Sequence, residues 1–159
     1  MNILYLHGLM SSNISSKTDW LQENYKVFNP FLNYKGSSET IFNSLELLCE
    51  QNKFHLIIGS SMGAYLAYHI SNKFNIPSLL FNPSLEKNSI TKPKINEVEN
   101  LKIKHTIILG KNDDVVIPVD TLNFLKDRKV NFTYTFEPNG HRTPLEVFQK
   151  HFSKIVDSL

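Results

Sequence analysis

Gly59-Ser60-Ser61-Met62-Gly63 is the stretch whose reading decides the fold. Before it, Phe54-His55-Leu56-Ile57-Ile58 is apolar apart from His55 and predicts a buried strand. After it, Ala64-Tyr65-Leu66-Ala67-Tyr68-His69-Ile70 predicts a helix. A Gly-x-Ser-x-Gly between strand and helix is the signature of a turn that presents a serine nucleophile. The spacing has a steric cause. A serine on so sharp a turn takes a strained backbone, and neighbours two residues away crowd one another unless both lack side chains. Gly59 and Gly63 bracket Ser61, not Ser60. The following helix aims its first amides, and the positive end of its dipole, at whatever reacts there. Three fixed positions in five also arise by chance, so the pentapeptide gains its meaning from the residues that accompany it.

Upstream, Ile3-Leu4-Tyr5-Leu6 predicts a first strand, ending at His7-Gly8-Leu9-Met10 and a Ser/Asn-rich loop. Thr18 to Tyr25 predicts a short helix with Trp20 and Leu21 facing inward, and Val27-Phe28 a brief strand stopped by Asn29-Pro30. Ser38 reads as an N-cap with Glu39 in the first turn, before Ile41, Leu45, Leu48 and Cys49 on one helical face. Downstream, Gly63, Ala67, Ile70 and Phe74 make a stripe on a helix that Pro77 ends. Leu79-Leu80-Phe81 is the next strand, closed by Asn82-Pro83. The chain is then polar from Ser84 to about Ile103, with one turn of helix expected near Asn96 to Asn100. Thr106 to Gly110 predicts a fifth strand, and Pro118 opens a helix carrying Leu122 and Leu125. Phe132-Thr133-Tyr134-Thr135-Phe136 alternates as a sixth strand. Thr143-Pro144-Leu145-Glu146 combines a capping box with proline at the first helical position, and Phe148, Phe152, Ile155 and Leu159 follow on one face. Strands alternating with helices predict right-handed crossovers and a six-stranded, mostly parallel sheet flanked by helices, in one α/β domain over residues 1–159.

The 159 residues suffice for one domain with a real core. A formal charge of +2, with Lys and Arg scattered, argues against nucleic acid or an anionic membrane as partner. The single Cys49 excludes an internal disulfide framework and reads as a small core residue. The first apolar run lacks the basic flank and length of a signal peptide, and no segment approaches the roughly 20 apolar residues of a membrane span. A soluble, cytoplasmic protein is the expectation.

Function in a parallel sheet gathers beyond the carboxyl ends of its strands, so each candidate is expected just after a strand. A serine hydroxyl needs a base. Of the six histidines only His7 and His141 follow strands directly, and His141, in Asn139-Gly140-His141-Arg142, is the base candidate. At His7 the flanking backbone matters more, because the loop after the first strand is where such a turn finds its second oxyanion donor. The amides of Leu9 and Met62 are the expected pair. The base needs an acid to hold its tautomer. Asp113 and Asp114 both follow the fifth strand, and position alone does not separate them. The order serine, acid, histidine fits enzymes built on this turn, not the chymotrypsin or subtilisin orders. No His or Cys pair has metal-ligand spacing, and the glycines form neither a P-loop nor a dinucleotide fingerprint.

Four stretches together resemble a known family: Leu4-Tyr5-Leu6-His7-Gly8 with Ser11-Ser12, Ile58-Gly59-Ser60-Ser61-Met62-Gly63, Leu80-Phe81-Asn82-Pro83-Ser84, and Asn139-Gly140-His141-Arg142. They resemble the α/β-hydrolase superfamily and, within it, the small YqiA/YcfP-type bacterial esterases. That resemblance implies a minimal hydrolase fold without a substantial cap, and it selects Asp113 through the spacing Gly-x-x-Asp-x-x-Val that ends at Val116. It implies hydrolysis of a small-molecule acyl ester through an acyl-enzyme, with no cofactor. A thioesterase or acyltransferase would use the same residues. The alternative of another class is a catalytically idle binding module, against which the intact Ser-Asp-His order argues. The stretch from Pro83 to Ile103, with Lys87, Asn88, Lys92, Lys94, Asn96 and Asn100, offers little apolar surface for a long acyl chain. A homodimer partner could supply such a wall.

Overall fold

The computed structural model describes residues 1–86 and 90–159. Its strands are β1 (Asn2–Leu6), β2 (Lys26–Phe28), β3 (Leu56–Ser60), β4 (Ser78–Phe81), β5 (His105–Gly110) and β6 (Phe132–Glu137). Its helices are α1 (Ser16–Gln22), α2 (Ile41–Gln51), α3 (Met62–Phe74), α4 (Pro118–Asp127) and α5 (Leu145–Val156). The sheet runs β2-β1-β3-β4-β5-β6, and every pair is parallel. Parallel strands covered on both faces read as unbroken apolar runs, which is how Leu56-Ile57-Ile58 and Ile107-Ile108-Leu109 look. Alternate residues serve two cores. Leu4, Leu6, Ile57, Leu80 and Ile107 face α2, α3 and α4, while Ile3, Tyr5, Ile58, Leu79 and Phe81 face α1 and α5. The strand order reverses between β1 and β3, and the crevice beyond their carboxyl ends is where such a sheet binds.

Several local expectations give way to tertiary context. β3 begins at Leu56, so His55 is outside the strand; it is exposed, and its Nδ1 accepts the Asn2 amide at 3.0 Å. Ser38 does not cap α2. The Ser37 carbonyl accepts the Thr40 and Ile41 amides, so the chain already turns there and the N-cap is Thr40. The capping box expected at Thr143 is not formed: Pro144 itself is the N-cap, extended at ψ 155°, and the buried Thr143 hydroxyl has no partner among the described residues. A capping box occurs instead at Ser15 and Thr18 of α1. α3 ends at Asn75, left-handed at φ 59°, two residues before Pro77. No helix forms over residues 96–100, and Leu159 is exposed beyond α5. Lys87 and Asn88 lie outside the described residues.

Two imidazoles are buried where α3 packs on the sheet: His69 of α3 and His105, the first residue of β5. His105 accepts the Ser78 hydroxyl at Nδ1 (2.7 Å) and donates from Nε2 to Asn72 Oδ1 (2.9 Å). His69 lies between the rings of Tyr65 and Tyr68, each centroid 4.9 Å away. Burial pushes the pKa of His105 down to about 4; burial, then the charges of Lys92, Arg128 and His105, pushes that of His69 down to about 3. The unfolded chain therefore takes up protons below about pH 6.5 that the fold refuses, and stability falls as pH falls. Each histidine contributes a slope approaching 1.4 kcal/mol per pH unit, about the cost of one pKa unit, down to pH about 4 for His105 and lower for His69. Urea midpoints measured from neutral pH to about pH 4.5 are expected to drop steeply below pH 6.5. A flat profile across that window would refute neutral burial of this pair.

Candidate active site

Ser61 stands at the N-terminus of α3 with φ 53° and ψ −114°, a conformation rare for a residue with a side chain. Two close approaches hold it there. A Cβ on Gly59 would lie 2.6 Å from the Ala64 Cα, so the first turn of α3 folds back onto the end of β3. A Cβ on Gly63 would lie 2.5 Å from the His7 carbonyl oxygen and closer still to that of Leu6. The crowding that their spacing suggests is present on one side, since a Cβ on Gly59 would also lie 2.5 Å from the Gly63 carbonyl oxygen, whereas Gly63 itself is closed by the end of β1. The Ser61 carbonyl accepts the Tyr65 amide at 3.1 Å and starts the helix, which leaves the Met62 amide among the first-turn donors without an intrahelical acceptor.

Ser61, Asp113 and His141 come together from three separate loops. His141 Nε2 lies 3.0 Å from Ser61 Oγ, and His141 Nδ1 lies 2.8 Å from Asp113 Oδ2. The Asp113 side chain is wholly buried, and its Oδ1 accepts the amides of Val115 and Val116, each at 2.9 Å. An ionised carboxylate accepts only, so the imidazole proton sits on Nδ1 and the Nε2 lone pair faces the serine hydroxyl. Asp114, by contrast, is exposed and takes no hydrogen bond among the described residues. Such a series can carry a proton from Oγ to Nε2.

The loop after β1 crosses directly over this point. A Cβ on Gly8 would be 3.2 Å from the Ser60 carbonyl oxygen and 3.4 Å from the Ser61 Cβ. His7 is buried and braces the crossing: Nδ1 donates to the Gly8 carbonyl and Nε2 accepts the Leu32 amide, both at 2.8 Å, while Tyr34 Oη donates to the His7 carbonyl at 2.6 Å. Leu9 follows on this crossing, half-buried. Its partner loop after β2 is clasped by a reciprocal pair, Asn13 to the Asn29 carbonyl (2.9 Å) and Asn29 to the Asn13 carbonyl (2.8 Å).

Sequence reasoning assigned Asn82 no role, yet it ties the histidine loop to the sheet. Its Nδ2 donates to the His141 carbonyl at 2.8 Å, and its Oδ1 accepts the Gly110 amide at 2.6 Å. Its φ of 44° is in the left-handed region that asparagine tolerates, and Asn-Pro directly after β4 was the available signal. Gly110 adds a close approach, since a Cβ there would meet the Asn139 carbonyl oxygen at 2.7 Å. A cavity of about 780 Å³ lies elsewhere, between Tyr65 and His69 of α3 and Phe124 of α4. No group of three metal-ligating side chains occurs among the described residues, and no helix there is long and apolar enough to cross a membrane.

A family model described as an uncharacterised protein family (UPF0227) matches residues 2–129. No curated protein matches the chain in sequence. Solved structures do match in fold. An α/β-hydrolase enzyme from the metagenome of sediments of the Mar Chica lagoon, Morocco, is 22% identical with a TM-score of 0.72, over 99% of this chain and 89% of that one. Est1E from Butyrivibrio proteoclasticus has a TM-score of 0.75 at 12% identity, over 99% of this chain and 87% of its own. A pyrethroid hydrolase from Sphingobium faniae has a TM-score of 0.73 at 11% identity, over 99% and 96%. The fold is that of the α/β-hydrolases, with six parallel strands and no large cap.

Proposed function

The chain belongs to the UPF0227 family and folds as an α/β-hydrolase, and from that premise we propose that it is a serine hydrolase of short-chain carboxylic esters. The observation that carries this reading is the hydrogen-bonded series from Ser61 through His141 to Asp113. Ser61 Oγ attacks the ester carbonyl while His141 Nε2 takes its proton. Asp113 holds the imidazole and stabilises its positive charge. The amides of Leu9 and Met62 receive the oxyanion, aided by the dipole of α3. Collapse of the tetrahedral intermediate expels the alkoxide, which His141 protonates, and leaves acyl-Ser61. Water, deprotonated by the same histidine, then releases the acid.

The preference for short acyl groups rests on the crossover from β4 to β5. Its described residues leave Ser61 at the Ser84 amide, which donates to the Ser61 carbonyl (3.2 Å), and then pack on α3: Leu85 and Pro93 are buried, Tyr65 Oη donates to the Pro93 carbonyl (3.3 Å), and Asn100 Nδ2 donates to the Asn72 carbonyl (3.2 Å). Among the described residues, the loops after β1 and β2 leave two apolar side chains exposed, Met10 at 80% and Phe31 at 65%, the latter stacked on His7. A buried methylene contributes roughly 0.8 kcal/mol, but one left in water contributes nothing. kcat/KM on p-nitrophenyl esters is therefore expected to peak from acetyl to butyryl and to fall beyond about six carbons. A peak at about ten carbons or more would overturn the short-chain reading alone. The hydrolase reading fails if neither ester turnover nor a fluorophosphonate adduct on Ser61 is found, the result expected of an idle binding module.

A further inference from the structure

The two edges of the sheet differ in how they meet water. β2 is three residues long and carries Lys26, whose ammonium lies 5.0 Å above the Phe28 ring. A short strand with a lysine is how soluble proteins blunt an edge. β6 has no such guard. It is six residues long, its central four are exposed, and Phe132-Thr133-Tyr134-Thr135-Phe136 has no charge and no proline. Glu137 turns inward, to Lys150 (2.6 Å) and His151 (2.7 Å). The Asn131 and Glu137 carbonyls accept amides from the β5 side, so by strand alternation Thr133 and Thr135 also bond inward. The N–H and C=O groups of Phe132, Tyr134 and Phe136 therefore point outward, where they find no partner among the described residues. Their side chains form an aromatic row, with centroids 6.0 Å apart from Phe132 to Tyr134 and 5.8 Å from Tyr134 to Phe136.

This stretch reads identically in both directions about Tyr134. We propose that β6 is a dimerisation edge, pairing antiparallel with β6 of a second copy of this chain around a two-fold axis at Tyr134. A two-fold contact must be self-complementary, and the palindrome meets that condition residue by residue. Tyr134 faces Tyr134 of the copy, Phe132 faces Phe136, and Thr133 faces Thr135. The outward groups belong to Phe132, Tyr134 and Phe136, so these make the hydrogen-bonded pairs, each exchanging two bonds. The threonines fall at the closer, non-bonded pairs, where threonine cross-strand pairs are favourable. The two aromatic rows merge on one face, and no like charges meet across the axis in this stretch. The sheet becomes continuous through both copies.

The test is solution mass, then register. At about 100 µM the protein is expected to scatter light as twice its 18.3 kDa chain mass. Tyr134→Lys places two ammonium groups at the axis, on a side chain that makes no bond within its own sheet, and is expected to halve that mass with an unchanged circular dichroism spectrum. Register is read by mixing Thr133→Cys protein with Thr135→Cys protein under mild oxidation. Paired residues in non-bonded positions have Cα atoms about 4.5 Å apart, within disulfide range. In either variant alone the matching cysteines are diagonal neighbours, about 7–8 Å apart and out of reach. A crosslinked dimer from the mixture, and little from either variant alone, supports the proposal. A monomeric wild type, a dimeric Tyr134→Lys, or equal crosslinking in the single variants would each overturn it.

Discussion

Ser61→Ala is expected to lower kcat by about 10⁴-fold or more and to leave the fold intact, whereas Ser60→Ala retains clear activity. The expectation follows from which serine the backbone presents. Ser60 is the last residue of β3, in register with Phe81 of β4, and so is committed to the sheet. Ser61 is lifted out of the sheet at φ 53°, with its Oγ 3.0 Å from His141 Nε2. Removing that hydroxyl takes away the proposed attacking atom, while the amides at the helix N-terminus stay where they are. Burst kinetics with a chromogenic ester, and mass spectrometry of a fluorophosphonate adduct, check the assignment together. An adduct on Ser60, or Ser61→Ala turning over within tenfold of wild type, would refute it.

The second large effect is expected at Asp113. Asp113→Asn is expected to reduce kcat on the order of 10⁴-fold, and Asp114→Asn to change it little. In Asp113→Asn the amide oxygen keeps the Val115 and Val116 amides, because those positions need an acceptor. The new NH₂ group then faces His141 Nδ1 and donates to it. The imidazole responds by carrying its proton on Nε2, where it points at Ser61 and cannot accept. Asp114 is exposed, and its substitution alters only a solvated charge. Equal losses in the two variants, with melting temperatures unchanged, would leave the acid unassigned; a larger loss at Asp114 would reverse it.

Much of this was legible in the sequence because it is local or periodic. The six strands, the turn at Ser61 and the placing of Ser61, His141 and an acid after β5 follow from apolar runs and from the rule that sites gather after strands, while the choice of Asp113 over Asp114 came from the family resemblance. The failures share one cause. Capping at Ser38 and Thr143 was read from residues nearby in sequence, but the carbonyl of Ser37 and the extended Pro144 decide where those helices begin. The role of Asn82 depends on Gly110 and His141, 28 and 59 residues away, and no spacing rule reaches that far. The helical turn expected near residues 96–100 does not form because Val98, the one apolar residue among them, is 41% exposed and gives that turn no apolar face to bury.

At Gly63 the backbone at the end of β1 passes so close that no side chain fits there. Gly59 is closed in the same way by the first turn of α3. A library of random variants would therefore be sieved at these positions as severely as at the nucleophile, but at an earlier stage. On the proposed function, variants at Ser61 are expected to fold and to fail as catalysts; variants at Gly63 are expected to fail while β1 and α3 are coming together. The Gly-x-Ser-x-Gly pattern is thus two records overlaid. Its serine is the proposed nucleophile, and its glycines report the crowding of three pieces of backbone that must be satisfied before the chain can fold.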